Sequence, residues 1–164
     1  RGRLRLELKP LDLVDVLRSA VGEAQTICDG NGVQLFALLP EAEIIVDADR
    51  ARLAQAVGNV LHNAARFTER GGRIHMTIER EDALVLVRIS DTGMGLPPDQ
   101  LEHIFSMFTQ VKESPGLRAG GLGIGLALAR TIMSMHNGTI EARSEGRGKS
   151  AEFLLRLPVQ KSGL

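Results

Sequence analysis

Asp91-Thr92-Gly93-Met94-Gly95 closes a run in which Val85, Val87 and Ile89 recur at every second position. A period of two puts those three side chains on one face of a strand, and Asp91 continues that face. A carboxylate on the apolar side of a strand needs a partner, or its burial is costly. Gly93 and Gly95 follow at once, so the backbone turns sharply and a ligand can come close to it. An adenine amine is a suitable donor for such an acid; a simple turn cap is the bland alternative.

A second glycine-rich stretch, Gly120-Gly121-Leu122-Gly123-Ile124-Gly125, runs into the amphipathic segment Leu122–His136. Backbone N–H groups at a helix N-terminus bind phosphate oxygens. The dinucleotide-binding fingerprint is G-x-G-x-x-G after a strand; here the spacing is G-x-G-x-G after a loop. Gly148-Lys149-Ser150 imitates the end of a phosphate-binding P-loop. That motif needs Gly where this chain has Arg143 and a helix where Ala151 to Leu157 reads as a strand. Both common nucleotide folds are therefore set aside.

Upstream, Asn59 and Asn63 stand four residues apart on a helix expected to start at the cap Asp49 and run to about Phe67. Arg66 and Phe67 continue their face, while Leu53, Val57, Val60, Leu61 and Ala64 form the packing side. Asn is a poor helix former, so two in mid-helix call for a reason. Amide oxygens suit a hard cation such as Mg²⁺ that is held mainly by phosphates and water. Arg66 stands where it could meet a phosphate. Phe105 and Phe108 read as core anchors at the base of a mobile loop over 106–121, whose cations are Lys112 and Arg118. His62, His75, His103 and His136 show neither metal nor triad spacing and read as structural or surface residues.

With 164 residues and 43% hydrophobic composition, the chain suits one domain with a real core. Lys+Arg and Asp+Glu are 20 each, so no net field steers it to nucleic acid or an anionic membrane. No apolar run approaches the ~20 residues of a membrane span, and no signal peptide opens the chain. The single Cys28 excludes an internal disulfide and fits a reducing compartment. Arg3–Leu8 reads as an edge strand, with a helix opening at Pro10-Leu11-Asp12 and ending at Asp29-Gly30-Asn31-Gly32. Val33–Leu39 and Ile44–Asp47 read as strands around a turn at Pro40. Hairpins are expected over 73–91, turning at Glu81-Asp82, and over 139–157; a short helix is expected over Pro97–Ile104. The fold class is α+β: a two-layer sandwich of a mixed, mostly antiparallel sheet with helices on one face.

Together these segments resemble the catalytic, ATP-binding domain of bacterial sensor histidine kinases, the Bergerat fold shared with gyrase, mismatch-repair and heat-shock ATPases. The resemblance covers about residues 4–158 of a single domain spanning 1–164. Asn59-Val60-Leu61-His62-Asn63-Ala64-Ala65-Arg66-Phe67-Thr68 resembles the N box, and Asp91 to Gly95 the G1 box, whose Asp binds the adenine amine. Phe105-Ser106-Met107-Phe108 resembles the F box, and Gly121 to Gly125 the G2 box. The resemblance implies ATP and Mg²⁺ as cofactors, with Asn59 and Asn63 on the metal and Asn59, Asn63 and Arg66 in the catalytic set. It implies nucleotide contacts from Asn63, Arg66, Asp91, Gly93, Gly95, Phe105, Phe108, Gly121, Gly123, Gly125, Leu126 and Ser150. Arg66 stands where the family often has Lys, and Asn137-Gly138 where it has Gly-Gly.

The hydrolysing relatives carry Glu in place of Asn59, and an amide is no general base. The resemblance therefore implies slow hydrolysis and use of ATP as a phosphoryl donor. None of the four histidines is followed by an acidic residue, as the family's phosphoacceptor is. The expected partners are a separate dimerisation and phosphoacceptor domain, absent here, and a response-regulator receiver domain, with no nucleic acid and no direct membrane contact. ATP use implies a cytoplasmic location. A Ser/Thr kinase of a partner protein, a non-enzymatic nucleotide-binding module and a true ATPase are the rival readings.

Overall fold

Asp12 opens helix α1 (Leu13–Asn31) by accepting the Val14 N–H on Oδ1 at 3.0 Å. Gly32, at φ 69°, ends it in the left-handed conformation that glycine adopts without strain. Asp49 opens α2 (Arg50–Phe67) in the same way, its Oδ1 accepting the Arg52 N–H at 3.2 Å. A third helix, α3, covers Ile124–Met135. The computed structural model describes residues 5–93, 104–105, 124–144 and 150–160. The short helix expected over 97–104 and the loop with Lys112 and Arg118 lie outside these, apart from Ile104.

Seven strands complete the described chain: β1 (Lys9–Asp12), β2 (Gln34–Leu38), β3 (Ile45–Ala48), β4 (Arg73–Glu81), β5 (Leu84–Asp91), β6 (Thr139–Ser144) and β7 (Ala151–Pro158). Five form one sheet in the order β2-β4-β5-β7-β6, with β2 parallel to β4 and the other pairs antiparallel. β1 and β3 form a separate antiparallel pair. The mixed, mostly antiparallel sheet expected from the sequence is thus observed.

One local expectation needs correction. The first described strand is Lys9–Asp12, and the described part of the expected Arg3–Leu8 strand, residues 5–8, is in none; alternation alone marks a strand, but Lys9–Asp12 is the segment that lies opposite a partner, with Leu11 against Val46. Pro10 is tolerated there because a two-stranded sheet leaves one side of each strand unpaired. The strands expected on either side of Pro40 are observed as β2 and β3, and they join different sheets, β2 the large one and β3 the small one.

Leu13, Val16, Leu17, Ala20, Ala24 and Cys28 of α1 fall at three- and four-residue intervals and are all buried. They pack with Leu53, Val57, Val60 and Leu61 of α2, Ile132 and Met133 of α3, and Val85, Val87, Ile89, Phe153 and Leu155 of the sheet. Burial, and next the charge of Asp29, push the Cys28 thiol above its ordinary range, away from the reactive thiolate. No described helix is long and apolar enough to cross a membrane.

The other face of the sheet has no helix over it among the described residues, yet Leu86 and Leu154 are 1% and 0% exposed there. Leu86 lies opposite Arg156 and Leu154 opposite Arg88 in the β5–β7 ladder. Arg88 reaches Glu152 at 3.1 Å and Glu79 at 3.2 Å; Arg156 reaches Glu81 and Glu141, each at 2.9 Å. Arginine stems lie along apolar surface while their heads stay in water, and stems anchored by these ion pairs account for the burial of the leucines opposite them. Partly exposed pairs contribute little charge energy themselves. Leu154→Ala should therefore cost about 2–5 kcal/mol in urea unfolding, whereas Arg88→Met, which keeps an apolar stem, should cost under about 1 kcal/mol.

Candidate functional site

Asp91 is the last residue of β5, and its face is the core face. It is 6% exposed and paired in register with Ile74 on one side and Ala151 on the other. Its Oδ1 accepts the Gly93 N–H at 2.8 Å. Burial pushes the carboxyl up to about 6, and the Gly93 and Ala151 N–H groups pull in the opposite direction. The acid is thus buried with backbone donors and no cation to neutralise it among the described residues.

Gly93 cannot be replaced without moving backbone: a Cβ there would lie 2.4 Å from Phe67 O and 2.7 Å from Asp91 Oδ1. This close approach sets the Asp91 turn against the C-terminal end of α2. Thr68, fully buried, donates its hydroxyl to Ala64 O at 2.7 Å and closes that helix end. Thr92 clasps the start of β4, its Oγ1 accepting the Arg73 N–H at 2.9 Å.

From this end, α2 carries its polar residues back towards α3. Arg66 is half-buried, with its guanidinium 4.7 Å from the centre of the Phe67 ring. Asn63, one turn earlier, is half-buried and has no hydrogen-bond partner among the described residues. Asn59, one turn further, donates Nδ2 to Gly125 O at 2.9 Å. A carbonyl can only accept, so the amide nitrogen must face it and Oδ1 is left as the acceptor. That contact brings the first turn of α3, with its orphan N–H groups, beside Asn59. Asp91, Gly93, Arg66, Asn63, Asn59 and Gly125 therefore follow one another along α2. The distance from Phe67 to Asn59 is roughly 12 Å at the helical rise.

Other expected residues have different surroundings. A Cβ on Gly125 would meet Asn59 at no less than 3.7 Å, so packing does not demand glycine there. Leu126 is buried in the core at 5% exposure, so only its backbone could serve a ligand. Phe105 packs edge-on against Phe153 with centroids 6.2 Å apart, as a core anchor should. Ser150 is exposed and precedes Ala151, the register partner of Asp91. Gly95, Phe108, Gly121 and Gly123 lie outside the described residues. The Asn59–Gly125 bond joins segments 66 residues apart and has no local sequence signal.

Asp91 also affects stability. Its folded value of about 6 exceeds its ordinary 3.8, so the folded chain keeps the proton to higher pH. Folding stability from this group is full below about pH 4 and falls as pH rises towards 6, by on the order of 2–3 kcal/mol. Ligand-free Asp91→Asn should thus be more stable than the parent at pH 7, and the gain should vanish near pH 4. Urea unfolding at both values checks this; a gain that did not depend on pH would contradict it.

Residues 48–161 match the family model described as histidine kinase-, DNA gyrase B- and HSP90-like ATPase. The chain is 36% identical over 164 aligned residues to the alginate biosynthesis sensor protein KinB of Pseudomonas aeruginosa, covering 96% of this chain and 26% of that protein. It is 32% identical to the signal transduction histidine-protein kinase BaeS of Escherichia coli, covering 98% of this chain and 34% of that one. It therefore spans about a quarter to about a third of the length of these relatives. The catalytic domain of the histidine kinase ThkA superposes with a TM-score of 0.78 at 25% identity, over 93% of this chain and 95% of that one. Full-length ShkA, solved with AMPPNP, gives 0.81 at 26% identity over 98% of this chain and 33% of its own. The chain belongs to the histidine kinase-, DNA gyrase B- and HSP90-like ATPase family, and within it resembles the catalytic domains of sensor histidine kinases.

Proposed function

We propose that this chain binds Mg-ATP and donates the γ-phosphoryl group to a histidine on a separate helical dimerisation domain, from which a response-regulator receiver domain is then phosphorylated. The observation that carries the reading is the line from buried Asp91 along α2 to the start of α3. It offers an acid for a base at one end and helix N–H groups for phosphates at the other.

Asp91 accepts the adenine amine, with Ser150 beside it through water. The amine adds a third donor to a buried carboxylate whose two backbone donors do not offset its burial. Gly93 and Gly95 keep the turn close to the base. The oxygens of Asn63 and Asn59 fit a hard cation, Asn59 because its Nδ2 is already committed to Gly125. Mg²⁺, when bound there, neutralises phosphate charge. Arg66 adds a further positive charge, and Gly121, Gly123, Gly125 and the Leu126 N–H line the phosphate end. Phe105 and Phe108 anchor the segment between the glycine boxes.

In the transfer, a nitrogen of the acceptor imidazole attacks the γ-phosphorus. The bond from phosphorus to the β–γ bridging oxygen breaks, ADP leaves with that electron pair, and the acceptor ring loses its proton. The protein contributes position and charge rather than covalent chemistry. Asn59 cannot take a proton from water, so hydrolysis by the isolated chain is slow.

Calorimetric titration with ADP and a non-hydrolysable ATP analogue, with and without Mg²⁺, tests the site. Asp91→Asn should weaken ADP by about 10- to 150-fold, the equivalent of a hydrogen bond to a charged group. Triphosphate affinity should depend on Mg²⁺, and labelled phosphate should pass to an isolated histidine-bearing helical domain. Normal ADP binding by Asp91→Asn would overturn the adenine assignment; phosphate reaching a Ser-bearing partner instead would overturn the acceptor.

A further inference from the structure

Asn59 ties one end of α3 to α2, and His136 ties the other. His136 is only 4% exposed, and both ring nitrogens are engaged. Nδ1 lies 2.8 Å from Ile132 O in the last turn of α3. A carbonyl accepts, so Nδ1 carries the hydrogen, and Nε2 is left to accept the Asp49 N–H at 3.0 Å. Asp49 is the N-cap of α2. One imidazole thus joins the end of α3 to the start of α2, while Asn59 Nδ2 and Gly125 O join the start of α3 to the middle of α2.

The two connections bound a frame of matched sides. Asp49 to Asn59 is roughly 15 Å at the helical rise, and Gly125 to His136 roughly 16 Å. The base of the imidazole is fixed as well. Asn137 takes φ 59°, its N–H reaches Ser134 O at 3.0 Å, and the Gly138 N–H reaches Met133 O at 2.8 Å. These bonds close α3 in a Schellman cap. A Cβ on Gly138 would lie 2.3 Å from Arg156 O, so the cap sits hard against β7.

We propose that His136 is a positioning residue for the nucleotide site: it sets the axial register of α2 against α3, and so aligns Asn63 with the phosphate-binding start of α3. Resting on the nucleotide-site reading above, this assigns a task to a side chain that does not touch the nucleotide. One residue of slip along α2 would move Asn63 by about 1.5 Å. A misplacement of that size at a reacting group costs on the order of 100-fold in rate.

Two variants separate register from mere stability. In His136→Asn the amide still reaches Ile132 O, but the Asp49 N–H loses its acceptor. In His136→Gln, Oε1 reaches the place of Nε2 and keeps that acceptor. For His136→Asn we expect Mg²⁺-dependent affinity for the ATP analogue to fall by about 10-fold or more and transfer by about 10- to 100-fold, with ADP affinity changed by less than about 3-fold. His136→Gln should restore all three to near the parent values. In the nucleotide-free protein, the Asn59 side-chain amide NMR signal should shift in His136→Asn and return in His136→Gln. If His136→Asn does not fold, His136→Met, which fills the space without a comparable acceptor, takes its place.

A folded variant with an unmoved Asn59 signal, or with ADP and triphosphate affinities falling together, would overturn the proposal. Failure of the nucleotide reading shows itself separately, as a parent protein that binds neither nucleotide; the Asn59 signal then decides the register alone.

Discussion

A carboxylate buried on the core face of a strand is the constraint around which the rest of this protein is arranged. Asp91 gains two backbone donors, from Gly93 and Ala151, and they do not offset its burial. To hold it there, β5 is flanked on both sides by paired strands, and the turn after it is pressed against the end of α2. The folded chain is less stable for carrying an ionised Asp91, and on the proposed reading an adenine amine at that point would recover the difference. Stability given up at a binding residue is a common exchange for affinity.

Helix α2 joins the core to the chemistry. Leu53, Val57, Val60, Leu61 and Ala64 hold it in the interior, and the same helix presents Asn59, Asn63 and Arg66 on its other side. Its start is tied to α3 through His136 and its middle through Asn59. Its end meets the Asp91 turn at Phe67 O. Three contacts along one rigid element are enough to hold the Asp91 turn and the start of α3 at a set separation. Those contacts are hydrogen bonds or backbone contacts, whose geometry is tighter than that of apolar packing.

Most of the elements that carry the candidate site were legible because their signals are local. The period-two run ending in Asp91, the caps Asp12 and Asp49 and the left-handed Gly32 each declare themselves within a few residues. Asn137, which stands where the resembled family has glycine, takes the left-handed conformation that Asn tolerates. What escaped depends on distant partners. Arg3–Leu8 alternates as a strand should, yet pairing with β3 selected Lys9–Asp12. Leu86 and Leu154 sit at solvent-face positions of their strands yet are buried, each opposite an ion-paired arginine in the β5–β7 ladder. His136 lacks metal or triad spacing and reads from sequence as a structural or surface residue; its link to Asp49 spans 87 residues.

The most direct test of the account is the titration of the Asp91 side-chain carboxyl by carbon NMR, without nucleotide and with saturating ADP. The free protein should show a midpoint of about 6, and ADP should move it well down as the adenine amine stabilises the ionised form. A midpoint near the ordinary 3.8 in the free protein, or one that ADP leaves unchanged, would contradict the claim that buried Asp91 is the adenine acceptor.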